Sequence, residues 1–349
     1  MSTNLGIPLS VLDVAPVAEG STPADALRNS LDLAPRVERL GFERHWVAEH
    51  HNMPGIASSS PAVLLAHIAS VTSSIRIGSG GVMLPNHSSL VVAEQFGMLE
   101  ALHPGRVDLG IGRAPGTDQL TAYALRRAHT AADEFPAQMV ELSGYFDGAW
   151  PEKHPFSEIV ATPGRGYRPA LWMLGSSTYG AQAAGILGLP YSFAHHFASE
   201  NTMAAVKTYR ESFRTGGTIE EPYLMLAVSV VCAETDEHAR WLAAPGMLSF
   251  VRSRTGRRGR FPTPEEAAAY EYSPQEQMIL DQRGSSQVVG DPAAVREQLV
   301  ALVEATGADE LMITTAVHAH ADRVRSYELL AEAIEMEPPA EASAVRPPG

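Results

Sequence analysis

Four short clusters carry residue types that do chemistry: His50-His51, Gly80-Gly81, Arg113 and Ser176-Ser177-Thr178. An imidazole at a strand end, in a site closed to water, is a proton donor or acceptor near neutral pH. Two glycines inside an apolar run weaken a strand, so they point either to a planar ring lying against the backbone or to a β-bulge. Three hydroxyl residues where a strand becomes a helix offer side-chain oxygens and free backbone N–H groups to a phosphate, with the helix dipole acting in the same sense. Arg113 would add positive charge. A plain helix cap and a surface arginine account for the same residues equally well.

Each cluster follows an apolar run of strand character. Residues 43–49 lead into His50, residues 75–78 into Gly80-Gly81, residues 106–112 into Arg113, and residues 171–174 into the hydroxyl cluster. Between the first three runs lie segments of helical period. Leu64, Ile68 and Val71 follow Ser60-Pro61, an N-cap residue with a proline in the first turn, and Val92, Phe96 and Leu99 form the next stripe. Further strands are expected at 8–14, 190–197, 223–233 and 310–317. Helices are expected over 25–40, 133–142, 179–187, 202–213, 292–304 and 321–335, the helix at 292 capped by Asp291 and opened by Pro292. Eight alternating units predict a single-domain (β/α)8 TIM barrel over residues 1–336, with its site at the C-terminal strand ends. Two stretches break the pattern. Residues 246–284 crowd Arg252, Arg254, Arg257, Arg258 and Arg260 among glycines and serines, and read as a mobile insertion after the seventh strand. Residues 337–349 hold too few apolar side chains to offset ordering entropy and read as a disordered tail.

Composition narrows the partners. The 349 residues are 45% hydrophobic and 19% charged, an ordinary globular balance, and the formal net charge of −14 argues against nucleic acid or an anionic membrane and for a small molecule. With one cysteine, no leader and no run able to span a bilayer, a cytoplasmic protein is expected. Thirteen histidines show no metal-ligand spacing, and no Gly-x-Gly-x-x-Gly follows a strand. Cys232, in an apolar strand, reads as core. Neighbouring residues on a strand face opposite ways, so one of His50/His51 and one of His195/His196 is expected at the mouth. Glu49 is either an orienting partner or a solvated charge.

Five segments carry a resemblance: WVAEHHNMPG (46–55), GSGGVMLPNH (78–87), AEQFGMLEALHPGRVDLGIGRAPG (93–116), LGSS (174–177) and VVGDPAAVREQL (288–299). In this order they resemble the luciferase-like flavin monooxygenases, the alkanal-monooxygenase-like branch most closely, over nearly the whole chain. The resemblance implies a barrel that holds FMN, used as FMNH2, across its mouth. Arg113 and Ser177 match phosphate-binding positions, with Ser176 and Thr178 beside them. Gly80-Gly81 matches the family's non-prolyl cis peptide, and His50 its active-site histidine, with His51 as a supporting neighbour. A separate reductase would supply FMNH2, and O2 would oxygenate a small organic substrate through a flavin C4a-peroxide. Met83, Leu84, His195, His196 and the insertion, acting as a lid, would line the pocket. A homodimer through the second and third helices is also implied. One departure stands out: luciferases proper carry a reactive cysteine where this chain has Gly112, which would leave space beside the ring and argues against luminescence. F420-dependent hydride transfer, non-catalytic flavin binding and metal-dependent hydrolysis are the alternative readings.

Overall fold

Nine parallel strands order the chain: β1 (Leu9–Asp13), β2 (Arg44–Val47), β3 (Arg76–Met83), β4 (Val107–Gly112), β5 (Ala170–Gly175), β6 (Tyr191–Phe193), β7 (Leu224–Cys232), β8 (Gln287–Gly290) and β9 (Glu310–Thr314). The computed structural model describes residues 5–127, 132–283 and 286–337, so the tail expected from 337 onward lies, beyond its first residue, outside the described residues. Strands β1 to β7 pair in sequence, β7 pairs with β9, and β9 returns to β1, closing an eight-stranded barrel. The helices are α1 (Pro23–Arg39), α2 (Pro61–Val71), α3 (Ser89–Leu102), α4 (Gln119–Ala124), α5 (Phe135–Asp147), α6 (Thr178–Leu187), α7 (His195–Ala198), α8 (Thr202–Ser212), α9 (Asp236–Arg254), α10 (Pro264–Ala268), α11 (Pro274–Arg283), α12 (Pro292–Thr306) and α13 (His320–Ala333). The fold is the predicted (β/α)8 TIM barrel.

Local chemistry sets the helix ends. Thr22 and Asp25 form a reciprocal capping box at α1, and Asp291 accepts from Ala294 N–H at 2.9 Å with Pro292 opening α12. Ser60 holds the N-cap position of α2, but its side chain makes no cap hydrogen bond.

Three elements differ from expectation. Residues 287–290 form a ninth strand because β6 covers β7 only to Leu226; β8 pairs with Ser229 to Cys232 and satisfies backbone groups left open there. The sixth strand stops at Phe193, opposite Gly175, where β5 ends, and residues 195–198 take a helical turn although β7 runs on beyond Leu226. The insertion begins later than Gly246, since α9 runs through Pro245 and Gly246 to Arg254, held by the buried face of Ala239, Leu242, Ala243, Leu248 and Val251.

The barrel interior is closed at its N-terminal end. Trp46 and Trp172 meet edge to face at 5.2 Å above a layer of charges. There Arg44 reaches Asp108 at 2.9 Å and Glu310 at 3.0 Å, Arg76 also pairs with Asp108, and Ser10 and Tyr223 donate to Glu310. Asp108 and Glu310 are fully buried. With this floor sealed, the C-terminal mouth is the end at which a ligand can enter.

Candidate active site

The mouth is built where β2, β3, β4 and β5 end. Strand β2 stops at Val47, so His50 and His51 lie beyond it and the alternation expected for a strand does not sort them. Hydrogen bonding does. His51 Nε2 lies 2.9 Å from Glu49 Oε1, whereas the Nδ1 of His50 is buried without a hydrogen-bond partner. The His50 backbone is fixed by N–H donation to Ser58 O at 3.0 Å. Burial pushes the His50 pKa below its ordinary value; Glu49 opposes that shift and His51 adds to it. The imidazole is therefore neutral at pH 7, with its buried Nδ1 unpartnered among the described residues.

Glu49 is fully buried, so it is an orienting group and not a solvated charge. Its carboxylate accepts from Met83 N–H at 2.9 Å and Asn86 Nδ2 at 3.2 Å, and lies 3.0 Å from His87 Nε2. Burial pushes its pKa up, but the His87 side chain, the Met83 N–H and His51 together hold it below the usual carboxylate range. The chain of contacts continues: Arg127 donates to Asn86 Oδ1 and to the carbonyl of Arg113, both at 2.9 Å. One network thus ties the turn after β2 to the turns after β3 and β4. Asn86, His87 and Arg127 were not singled out from sequence, although Asn86 and His87 fall directly after the third strand, where such residues gather.

Gly80-Gly81 is a cis peptide, and the β3–β4 register shifts between Ser79 and Val82. A Cβ at Gly81 would lie 2.8 Å from Gly110 O, and one at Gly80 would lie 2.7 Å from Leu12 Cδ1. Close packing against the Gly110 backbone thus requires glycine at 81, whatever occupies the mouth, whereas a side chain at 80 would first displace the flexible end of Leu12. The space expected beside Gly112 is filled, since a Cβ there would lie 3.0 Å from Met83 Sδ.

Arg113 follows β4 directly, and its guanidinium carbon lies 3.8 Å from the ring centroid of Tyr179, the second residue of α6. Among the described residues no carboxylate forms an ion pair with Arg113. Ser177 is the N-cap residue of α6 in extended conformation, and its side chain makes no cap hydrogen bond. Ser177 and Thr178 are exposed and Ser176 half-buried. The fold therefore brings an arginine without a counter-ion against a helix N-terminus with free donors, a charge arrangement that fits a phosphate.

The other predicted residues have partners of their own or lie in the core. Leu84 is fully buried in the layer between sheet and helices and does not line the mouth. His195 contacts Thr202 Oγ1 at 2.8 Å, His196 the carbonyl of Ala227 at 3.2 Å, and His318 that of Glu19 at 3.0 Å. Cys232 is core, its thiol pushed up to about 12 by burial. Among the described residues no group of three or more His, Cys, Asp or Glu could hold a metal, and no helix is long and apolar enough to cross a membrane.

A luciferase-like monooxygenase of Escherichia coli K12 is 44% identical over 328 residues, covering 94% of this chain and 97% of its own. The N-acetyl-S-alkylcysteine monooxygenase of Bacillus subtilis 168 is 34% identical over 330 residues, 94% of this chain and 98% of its own. The crystal structure of apo-MsnO8 superposes with a TM-score of 0.88 at 41% identity, covering 96% of this chain and 99% of that one. Two more distant structures share the fold alone. The FMN-bound oxygenating constituent of 3,6-diketocamphane monooxygenase from Pseudomonas putida has a TM-score of 0.69 at 19% identity, covering 94% and 97% of the two chains. An F420-dependent secondary alcohol dehydrogenase has 0.68 at 13%, covering 95% and 98%. With a luciferase-like monooxygenase family match over residues 8–310 and such identity along almost all its length, the chain belongs to that family.

Proposed function

We propose that this protein is the oxygenating component of a two-component flavin system, taking FMNH2 from a separate reductase and using O2 to oxygenate a small organic substrate. The observation that carries this reading is the pairing of Arg113 with the free N-terminus of α6 on one side of the mouth, with the half-buried imidazole of His50, its Nδ1 unpartnered, among the loops of the other. Bound reduced FMN supplies electrons and activates oxygen; the chain supplies the rest. Arg113, Ser176, Ser177 and Thr178 hold the phosphate, and the backbone at Gly80-Gly81 flanks the ring. His50, neutral, holds or delivers a proton at its free nitrogen. Glu49 fixes the His51 side of that loop through its four donors. Met83, packed on Gly112, and the inserted segment, pinned to the barrel where Phe261 N–H donates to Val17 O at 2.8 Å, exclude water from the mouth.

The FMN-bound fold neighbour and the relative named as a monooxygenase support FMN and oxygen chemistry; the F420-dependent neighbour marks the competing cofactor. Absorbance titration of the purified chain with FMN and with F420 separates them, and a reductase-coupled assay with mass detection of products tests oxygenation. Binding of F420 alone, or tight FMN binding without any oxygenated product from a broad panel, would contradict the reading. The homodimer belongs to the same proposal, because α2 and α3 leave Val63, Val71, Val91, Met98 and Leu102 exposed. Light scattering at micromolar concentration should return twice the chain mass, and a monomer would refute it.

A further inference from the structure

Between the end of α9, the inserted segment that follows it and the loops after β1 and β2 lies a cavity of about 250 Å³, to which none of the residues assigned above to flavin or to proton transfer contributes. At roughly 30 Å³ per water it holds the equivalent of about eight waters, the size of a ligand of about ten non-hydrogen atoms. Its wall is apolar at Val14, Met53, Ile56, Phe250 and Phe261. Arg252, Arg258 and Arg260 also line it, and among the described residues no aspartate or glutamate does. In a chain of net charge −14 that is an inversion of the average surface.

Two of the three arginines are held from outside. Arg252 pairs with Glu266 at 2.7 Å and Arg258 with Asp118 at 3.4 Å, and neither carboxylate reaches the cavity. Arg260 is exposed, and among the described residues it has no ion-pair partner. The strand of chain that carries Arg258 and Arg260 is fastened to the barrel. Phe261 exchanges backbone hydrogen bonds with Val17 and Glu19, both at 2.8 Å, and Gly55 sits so close that a Cβ there would lie 2.7 Å from Gly259 O. The backbone of the positive wall is therefore fixed against the apolar one.

We propose that this cavity selects a small amphipathic carboxylate, its acid group facing Arg258 and Arg260 and its apolar body against Ile56, Phe250 and Phe261. As the binding place of the molecule to be oxygenated, the cavity rests on the flavin reading above; as an acid-selective site, it does not. Cations set against an apolar wall distinguish an acid from its isosteric amide, whose neutral head gains little from a guanidinium.

The test is calorimetric titration of the full chain, with and without FMN, using octanoate and octanamide, then phenylacetate and phenylacetamide. At least one acid should bind roughly 10- to 100-fold more tightly than its amide, the worth of one charged hydrogen bond. Arg258→Gln with Arg260→Gln should abolish that preference and leave amide affinity, the thermal midpoint and FMN affinity unchanged. Arg260→Lys, which keeps the charge, should retain most of it. Equal binding of acid and amide, no binding of either acid, or a preference that survives the double substitution would overturn the proposal. FMN affinity in the same samples reports on the flavin reading separately: an acid preference in a chain that binds no FMN would refute that reading and leave the cavity standing.

Discussion

The two ends of the barrel treat charge in opposite ways. At the floor Arg44, Arg76, Asp108 and Glu310 are joined to one another and to Ser10, Trp46 and Tyr223, and none of these side chains has a buried atom without a partner. At the mouth the buried Nδ1 of His50 has no partner, Arg113 has no counter-ion among the described residues, and the Ser177 side chain does not cap its helix. Buried polar groups are normally satisfied, because leaving one unpaired costs about 1–3 kcal/mol. The floor follows that rule and serves stability. The mouth departs from it at the buried Nδ1 of His50, and leaves Arg113 and the exposed Ser177 open to a ligand.

The largest expected effect tests the mouth. His50→Asn keeps similar reach and removes the acid/base group, so product formation in a reductase-coupled assay should fall by about 10²–10⁴-fold while FMN affinity stays near wild type. His51→Asn should do less, because His51 is already spent on Glu49. Wild-type turnover in His50→Asn, or a defect explained wholly by lost flavin affinity, would make His50 a structural residue. The floor should give the reverse pattern: Arg44→Met strips a cation from two buried carboxylates and should lower unfolding stability by about 3–5 kcal/mol without altering flavin affinity of the folded fraction. A flavin defect without lost stability would erase the contrast.

One buried group outside both regions sharpens the comparison. His45, facing the helices opposite Trp46, is fully buried with both ring nitrogens unpartnered, 3.9 Å from Asp13, which Arg323 already neutralises at 3.0 Å. Burial pushes its pKa down from 6.5 to about 4. Between those values the folded state binds fewer protons than the unfolded one. Stability from this group is thus complete above about pH 6.5 and falls as the pH drops toward 4, by about 3 kcal/mol in all. His45→Leu should flatten that part of the fall in denaturant titrations at pH 7 and pH 4. An equally steep fall in the variant would show that His45 does not carry it.

Much of the site was legible because its parts sit at abrupt ends of apolar runs: His50 after β2, Arg113 after β4 and the hydroxyls after β5 are read directly from where hydrophobic sequence stops. The α12 start was legible for a similar local reason, Asp291 and Pro292 being an unambiguous cap. What escaped depends on distant partners. Strand β8 is four residues long and exists because β7 outruns β6. The roles of Asn86, His87 and Arg127 depend on three loops meeting at Glu49 and Arg113. The continuation of α9 through Pro245 and Gly246 follows from its buried face, against what those two residues favour alone. Strand alternation cannot separate His50 from His51, which lie beyond β2; what distinguishes them is the contact of His51 with Glu49.

The most direct test of the central claim is equilibrium titration of wild type and of the Arg113→Ala, Ser177→Ala double variant with FMN and with riboflavin. If the incomplete polar groups at the mouth form a phosphate site, the double variant should lose about 2–4 kcal/mol of FMN affinity and bind riboflavin as wild type does. Equal losses for both ligands, or no loss for either, would contradict it.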